Sequence, residues 1–286
     1  VTARQTRQEI LVWTDTSLHS MKFVGAPYTF NLETLGDNTS IIGPNTAITV
    51  NNVTYWMGKD KFYAYSGRIE TLPCQLRRYV FSDINFNQSD QFTVGLNEQF
   101  NEITWFYCSA NSDYIDRYVI YNYLENIWYY GSMSRTAWLD SHTRGHPYAT
   151  ANGYIYQQET GYDNGDTNPP APLTAYIESC LFDIDDGQKF TFIQRVIPDI
   201  TFQNSDTNTP GVVYTVKVRN FPGSSFDQGD SRGVSKTASM SIDEYTNQVW
   251  VRLRGRQAAI KIESDEAGVM WQLGSTRLDI RPDGRR

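Results

Sequence analysis

The sequence has 286 residues, 40% hydrophobic and 14% aromatic, and 25 basic against 32 acidic side chains give a formal net charge of −7. That length holds one large all-β domain or two smaller ones, and the acidic balance excludes a whole-chain basic footprint for nucleic acid. No run approaches the ~18 consecutive apolar residues of a membrane-crossing helix, and no signal-peptide pattern is present.

The first 25 residues read as two strands around Trp13 and Phe23. Residues 27–40 are polar and read as a loop. Residues 41–50 (IIGPNTAITV) form a strand with a Gly-Pro break, and Asn51-Asn52 is a tight-turn dipeptide leading into a strand over 53–57. Residues 68–83 carry the best helical signal, with Pro73 placed to open a helix over 74–79. Strands resume at 92–96 and 103–108. Residues 102–132 contain three aromatic and β-branched runs, 103–108, 117–123 and 127–130, separated by Ser, Asn, Asp and Glu. Such runs suit a pleated, half-buried surface and read as antiparallel strands joined by hairpins.

This pattern repeats. Trp13, Trp56 and Trp105 each sit in an apolar run followed by a second run, at a spacing of roughly 40–50 residues. A weaker fourth copy begins at 153–157 and continues at 174–180. Several strands per copy at that period predict propeller-like blades over residues 1–188, each a small sheet that buries its faces against its neighbours. The alternative is an ordinary β-sandwich with evenly spaced tryptophans. The chain opens without Met, inside what reads as a blade already under way. The expectation is therefore a C-terminal part of a longer chain, or blades supplied from elsewhere. From Lys189 the strands lengthen and alternate more regularly, giving a C-terminal antiparallel β region over 189–286. In 212–219 (VVYTVKVR), Val212, Tyr214, Val216 and Val218 form the face expected to be buried. Residues 249–255 and 258–262 read as a hairpin, with Trp250 and Trp271 expected in the core.

The search for chemistry gives little. Three cysteines, Cys74, Cys108 and Cys180, form no disulfide framework or zinc site. Cys108 reads as a small core residue, and the set fits assembly in a reducing cytoplasm. His142 and His146 have metal-like spacing, but Gly145 and Pro147 argue against the helix that would align them. The acidic loop from Asp163 has Thr174 where a calcium loop needs Glu. Neither His19, His142 nor His146 stands in a nucleophile-elbow context. No cofactor fingerprint is present, and the sequence reads as a non-enzyme. The concentrated charge feature is basic: Arg252, Arg254 and Arg256, with Lys261, Arg277, Arg281, Arg285 and Arg286. Arg252, Arg254, Arg256, Arg281, Arg285 and Arg286 are the candidate subunit or partner contacts. Read plainly, they are a solvated strand face with a basic tail. Read functionally, they are a docking surface for an acidic subunit or for DNA phosphate.

Three segments carry a resemblance: IPDITFQNS at 197–205, WVRLRGRQAAIKIES at 250–264 and MWQLGSTRLDIRPDGRR at 270–286. Together they resemble the C-terminal signature of tail nozzle or hub proteins of short-tailed, podovirus-like bacteriophages, also called packaged-DNA stabilisation proteins. The ending W-x-L-G-x-x-R-x-D-x-R-P-D-G-R-R is the most specific piece. The resemblance implies a propeller-bearing subunit of a six-fold homo-oligomeric ring in the virion tail, assembled in the host cytoplasm. It implies portal, adaptor and tail fibre or needle proteins as partners. Genomic DNA would be retained and then conducted without sequence-specific binding. An acidic chain suits a lining that repels phosphate. The competing reading is a glycan-binding or glycan-cleaving propeller, with exposed Tyr and Trp as stacking platforms and Asp183 and Asp185 as its carboxylates. The two differ in where the aromatics lie: buried between blades, or gathered in an open cleft.

Overall fold

The computed structural model describes residues 1–141, 145–165, 167–183, 187–221, 223–224 and 235–284. The chain is all-β, built of small antiparallel sheets, and divides into two compact units, Val1–Thr160 and Gly161–Arg286.

The first unit contains four meanders in which each strand pairs with the next. The first sheet comprises β1 (Thr2–Gln5), β2 (Ile10–Trp13), β3 (Ser17–Phe23) and β4 (Phe30–Asp37). The second comprises β5 (Ala47–Val50), β6 (Val53–Met57), β7 (Phe62–Tyr65) and β8 (Ile69–Leu72). The expected Asn51-Asn52 turn joins β5 to β6, with φ of +49° and +66°, the left-handed pair that a tight hairpin turn requires. A short helix α1 (Arg77–Ser82) follows, three residues later than the sequence suggested, and a 3-10 turn (Phe86–Gln91) leads into the third sheet. That sheet comprises β9 (Thr93–Asn97), β10 (Glu102–Tyr107), β11 (Arg117–Asn122) and β12 (Ile127–Gly131). The fourth has three strands, β13 (Ala137–Leu139), β14 (Tyr148–Ala151) and β15 (Tyr154–Gln157).

The repeated tryptophans occupy the second strand of the first three sheets and are all fully buried. They lie between consecutive sheets. Trp13 meets Trp56 edge to face at 5.4 Å, joining the first sheet to the second. Phe62 meets Trp105 at 5.0 Å, and the indole N–H of Trp105 donates to the Thr46 carbonyl at 2.9 Å, joining the second to the third. Phe106 meets Trp138 at 5.8 Å, and Trp138 donates to the Leu96 carbonyl at 2.8 Å, joining the third to the fourth. The Trp138 ring fills the space over Gly95, where a Cβ would come within 2.4 Å of it. The first strands of successive sheets are neighbours in the same order: β1 beside β5, β5 beside β9, β9 beside β13. Arg4 on β1 donates to the Ala47 carbonyl of β5 at 2.9 Å, and Asn45 forms a parallel bridge with Thr93.

Three expectations are corrected here. Residues 27–40 hold a full strand, β4, whose Phe30 and Leu32 alternate with Asn31 and Glu33. It lies at a sheet edge, largely exposed, which is why it reads as polar. Residues 153–157 do not start a fourth copy but supply the last strand of the fourth sheet, whose earlier strands lie upstream. Residues 174–180 belong to the second unit, so the units divide at Thr160/Gly161 and not at 188.

The second unit begins with the short pair β16 (Asp163–Asn164) and β17 (Ala171–Pro172). Next come β18 (Ala175–Glu178), β19 (Phe182–Asp183), β20 (Thr191–Ile197), β21 (Ile200–Thr201), β22 (Gly211–Arg219) and β23 (Ser235–Asp243). The last strands are β24 (Val249–Gly255), β25 (Gln257–Ser264), β26 (Gln272–Leu273) and β27 (Arg277–Pro282). One sheet runs β18-β25-β22-β23, with β19 also on β25; another runs β24-β20-β27; β21 pairs β26. As expected, Val212, Tyr214, Val216 and Val218 on β22 are buried, and they pack with Ile193, Val196, Val251 and Leu253 of the other sheet.

The expected hairpin of 249–255 with 258–262 does not form. β24 and β25 belong to different sheets, and Gly255 and Arg256 carry the chain from one to the other. Gly255 is required there, because a Cβ would lie 2.7 Å from that of Val218. Among the described residues, no helix is long and apolar enough to cross a membrane.

Candidate partner-contact surface

The arginine cluster found in the sequence is assembled mainly on the outer face of the β24-β20-β27 sheet. Strand alternation does this. Val251 and Leu253 of β24, and Leu278 and Ile280 of β27, turn into the core. Trp250, Arg252 and Arg254, and Arg277, Asp279 and Arg281, therefore face outward. Register brings Arg254 and Arg281 to either side of Phe192, and Trp250 and Asp279 to either side of Arg195. A shift in register between Ile193 and Arg195 bulges β20 at Gln194. A shallow groove lined by Phe192, Gln194, Trp250, Val251 and Arg252 lies at that point.

Within this face the arginines are held differently. Arg252 and Arg281 are exposed. The Arg254 guanidinium pairs with the Asp283 carboxylate, donates to its carbonyl at 3.2 Å, and lies 4.0 Å over the Phe190 ring. Arg195 reaches Asp279 at 3.4 Å and lies 5.6 Å over Trp250. Arg256, in the crossover, stacks 4.7 Å over Phe190 and 5.9 Å over Phe221, and its backbone N–H donates to the Arg219 carbonyl. Arg252, Arg277 and Arg281 thus carry exposed charge, whereas Arg254 and Arg256 are fixed by stacking and ion pairing. Arg285 and Arg286 lie outside the described residues. Trp250 is 63% exposed, so its expected place in the core is corrected; Trp271 is partly buried against the core, as expected.

The other sequence candidates are spread apart. His19 lies 2.8 Å from Ser17 Oγ through Nε2 and 3.1 Å from Thr34 Oγ1 through Nδ1. The Gly268 N–H donates to both Asp163 carboxylate oxygens, at 2.8 and 3.0 Å, which makes Asp163 a structural tie between β16 and the loop before β26. Asp183 is exposed on β19. His142, Asp166 and Asp185 fall outside the described residues. Among the described residues no cluster of His, Cys, Asp and Glu is arranged to hold a metal ion. Cys108 is buried, and that burial raises its thiol pKa to about 11.

Sequence reasoning missed one polar cluster. Glu102, at the head of β10, and Glu159, after β15, come together between the third and fourth sheets. Burial, and then the Glu159 charge, raise the Glu102 carboxyl to about 7. Burial also raises Glu159, offset by a hydrogen bond from Asn97 Nδ2 at 2.9 Å and by the charge of His146. The Tyr129 hydroxyl donates to Glu102. Only the ends of two strands in different sheets meet here, so sequence spacing carries no sign of it.

The sequence matches no protein-family model and no curated protein.

Proposed function

We propose that this chain is a structural subunit of a bacteriophage tail, part of a nozzle or hub ring that closes the portal channel, retains packaged DNA and conducts it during ejection. In this reading the four consecutive sheets of the first unit are propeller blades. The buried, sheet-bridging tryptophans support that reading, as does the neighbouring order of β1, β5, β9 and β13. The observation that carries the proposal is the basic face of the second unit. It presents Arg252 and Arg281 from two of the segments that carry the C-terminal resemblance. The chain's net charge of −7, despite this basic face, suits a wall that repels phosphate, since each phosphate neutralised adds affinity. The basic face is then a site for acidic neighbouring subunits.

The test mixes the purified chain with its virion's portal complex and measures native mass. Assembly on the portal that is lost in Arg252→Glu/Arg281→Glu supports the proposal. A chain that ignores the portal overturns it. One observation favours the glycan reading: exposed Trp250 beside the Phe192 groove offers a stacking platform for a sugar ring. Retention on a host-polysaccharide column, lost in Trp250→Ala, would establish that reading instead.

A further inference from the structure

Each inner sheet of the first unit is covered on both faces. In the second sheet, Trp56 and Tyr63 face the first sheet, while Met57 and Phe62 face the third. In the third, Trp105 and Val119 face the second, while Phe106 faces Trp138 of the fourth. The end sheets are covered on one side only. The first sheet buries Leu11, Trp13 and Leu18 against the second. Its other face carries Ile10, Val12, Met21, Phe23, Phe30 and Leu32, cross-strand partners set by register. Phe23 is 72% exposed, and it meets Phe30 edge to face at 5.9 Å in the open. The fourth sheet turns Trp138 and Ala149 inward; its other face carries Leu139, Tyr148 and Ile155, with Ile155 74% exposed.

The apolar patch on the first sheet's open face carries no charge of its own; His19 and Thr34 border it, and Asp37, opposite Ser17, lies at the far end of that face. In the first sheet, Arg4, Lys22 and Glu33 all fall on the covered side by strand alternation. A contiguous exposed apolar patch rimmed by polar residues is an interaction surface rather than a solvated one. The occupant follows from the junctions already present. Three times within the unit, the trailing face of one sheet packs on the leading face of the next, with their first strands side by side. The open faces are one unused leading face and one unused trailing face of that same series. A contact between them is heterologous, and such contacts close into rings where the rotation allows.

We propose that a second copy of this chain covers both faces. The fourth sheet of each copy seats on the first sheet of the other, with β13 of one beside β1 of its partner. Two copies bring the four sheets of each into a closed ring of about eight, the upper end of the usual propeller range. This inference stands on the sheet junctions alone and does not depend on a tail role.

The test uses the full chain without any partner. Native mass should be twice the 32.8 kDa of one chain. Phe23→Asn/Phe30→Asn, substitutions at exposed positions, should keep the circular dichroism spectrum and weaken self-association about tenfold or more. Orientation is read by cross-linking. Met21→Cys and Ile155→Cys, each made in a Cys180→Ser background and mixed, should be joined by a short bis-maleimide, whereas neither should join to itself. A chain monomeric across the accessible concentration range overturns the proposal. So does cross-linking of Met21→Cys to itself, which means a face-to-face isologous dimer. Growth into open filaments overturns the closed pair.

Discussion

Trp105→Ala is the sharpest test of how the first unit is held together. The indole is fully buried, contacts Phe62 at 5.0 Å and Trp128 at 6.0 Å, and donates to the Thr46 carbonyl of the neighbouring sheet at 2.9 Å. Truncating a buried Trp to Ala costs about 3–5 kcal/mol, through lost transfer energy and the cavity left behind. The Thr46 carbonyl keeps the Met57 N–H at 3.2 Å, so losing the indole bond adds only about 0.5–1.5 kcal/mol. The combined loss, about 3.5–6.5 kcal/mol, is comparable with the whole stability of a marginal domain. Trp105→Phe separates the two effects, since it keeps most of the ring and loses only the donor. Trp250→Ala is the contrast: an exposed side chain resting against Arg195, expected to cost about 0.5 kcal/mol. The assay is urea unfolding followed by circular dichroism, with the first unit's transition identified as the one that moves in Trp105→Ala. If Trp105→Ala and Trp250→Ala shift stability equally, packing between consecutive sheets is not what stabilises this unit.

Gly95→Val should strain the seat of Trp138, because its Cβ would meet the indole at 2.4 Å; faster proteolysis around residues 132–160 is the readout. Gly255→Ala should lower the second unit's melting temperature, at a cost of about 1–3 kcal/mol, because its Cβ would lie 2.7 Å from that of Val218. The Glu102 carboxyl, raised to about 7 in the fold, holds its proton more tightly folded than unfolded. Its contribution is therefore fully present below the ordinary carboxylate range and is lost as pH rises through about 7. Melting temperature should fall between pH 5 and 8. Glu102→Gln should flatten that slope, and an unchanged slope refutes the assignment.

Much of the first unit is legible in the sequence because its signals are local. Aromatic and β-branched runs mark the strands, and Asn51-Asn52 marks a hairpin whose positive φ values only Asn or Gly adopt readily. The Trp spacing marks the repeat, and each tryptophan does land on the second strand of its sheet. β4 was legible too, in the alternation of Phe30 and Leu32 with Asn31 and Glu33, but its exposure makes it look like a loop. The second unit is harder because its pairings are long-range. β25 pairs β18 and β22, not its sequence neighbour β24, and β18 is drawn out of the repeat by that pairing. Binary alternation identifies which face of β22 is buried but not which strand lies beside it. Of the site, the arginines were visible as a cluster. The division into exposed Arg252 and Arg281 and stacked Arg254 and Arg256 depends on Phe190, Phe221 and Asp283, which only the fold brings close.

The C-terminal run that carries the resemblance also has an architectural explanation, residue by residue. Leu273 packs on the core and pairs with Ile200. Gly274 stands where a Cβ would come within 2.5 Å of the Asp199 carboxylate, which accepts from the Ser275 N–H. Asp279 accepts from Gln194 at 2.9 Å and pairs Arg195; Asp283 donates its backbone N–H to the Phe190 carbonyl while holding Arg254, and the Phe190 N–H donates to the Gly284 carbonyl. The motif thus fastens β27 to β20 and fixes the stacked arginines. Arg252 and Arg281 have no such part in the packing, since both are exposed on the outer face. If the basic face works in assembly, charge reversal at these two arginines should abolish partner binding while leaving the melting temperature within a few degrees of the parent. A large loss of stability would instead place them among the fastening residues, and the outer face would then lose its claim to a partner.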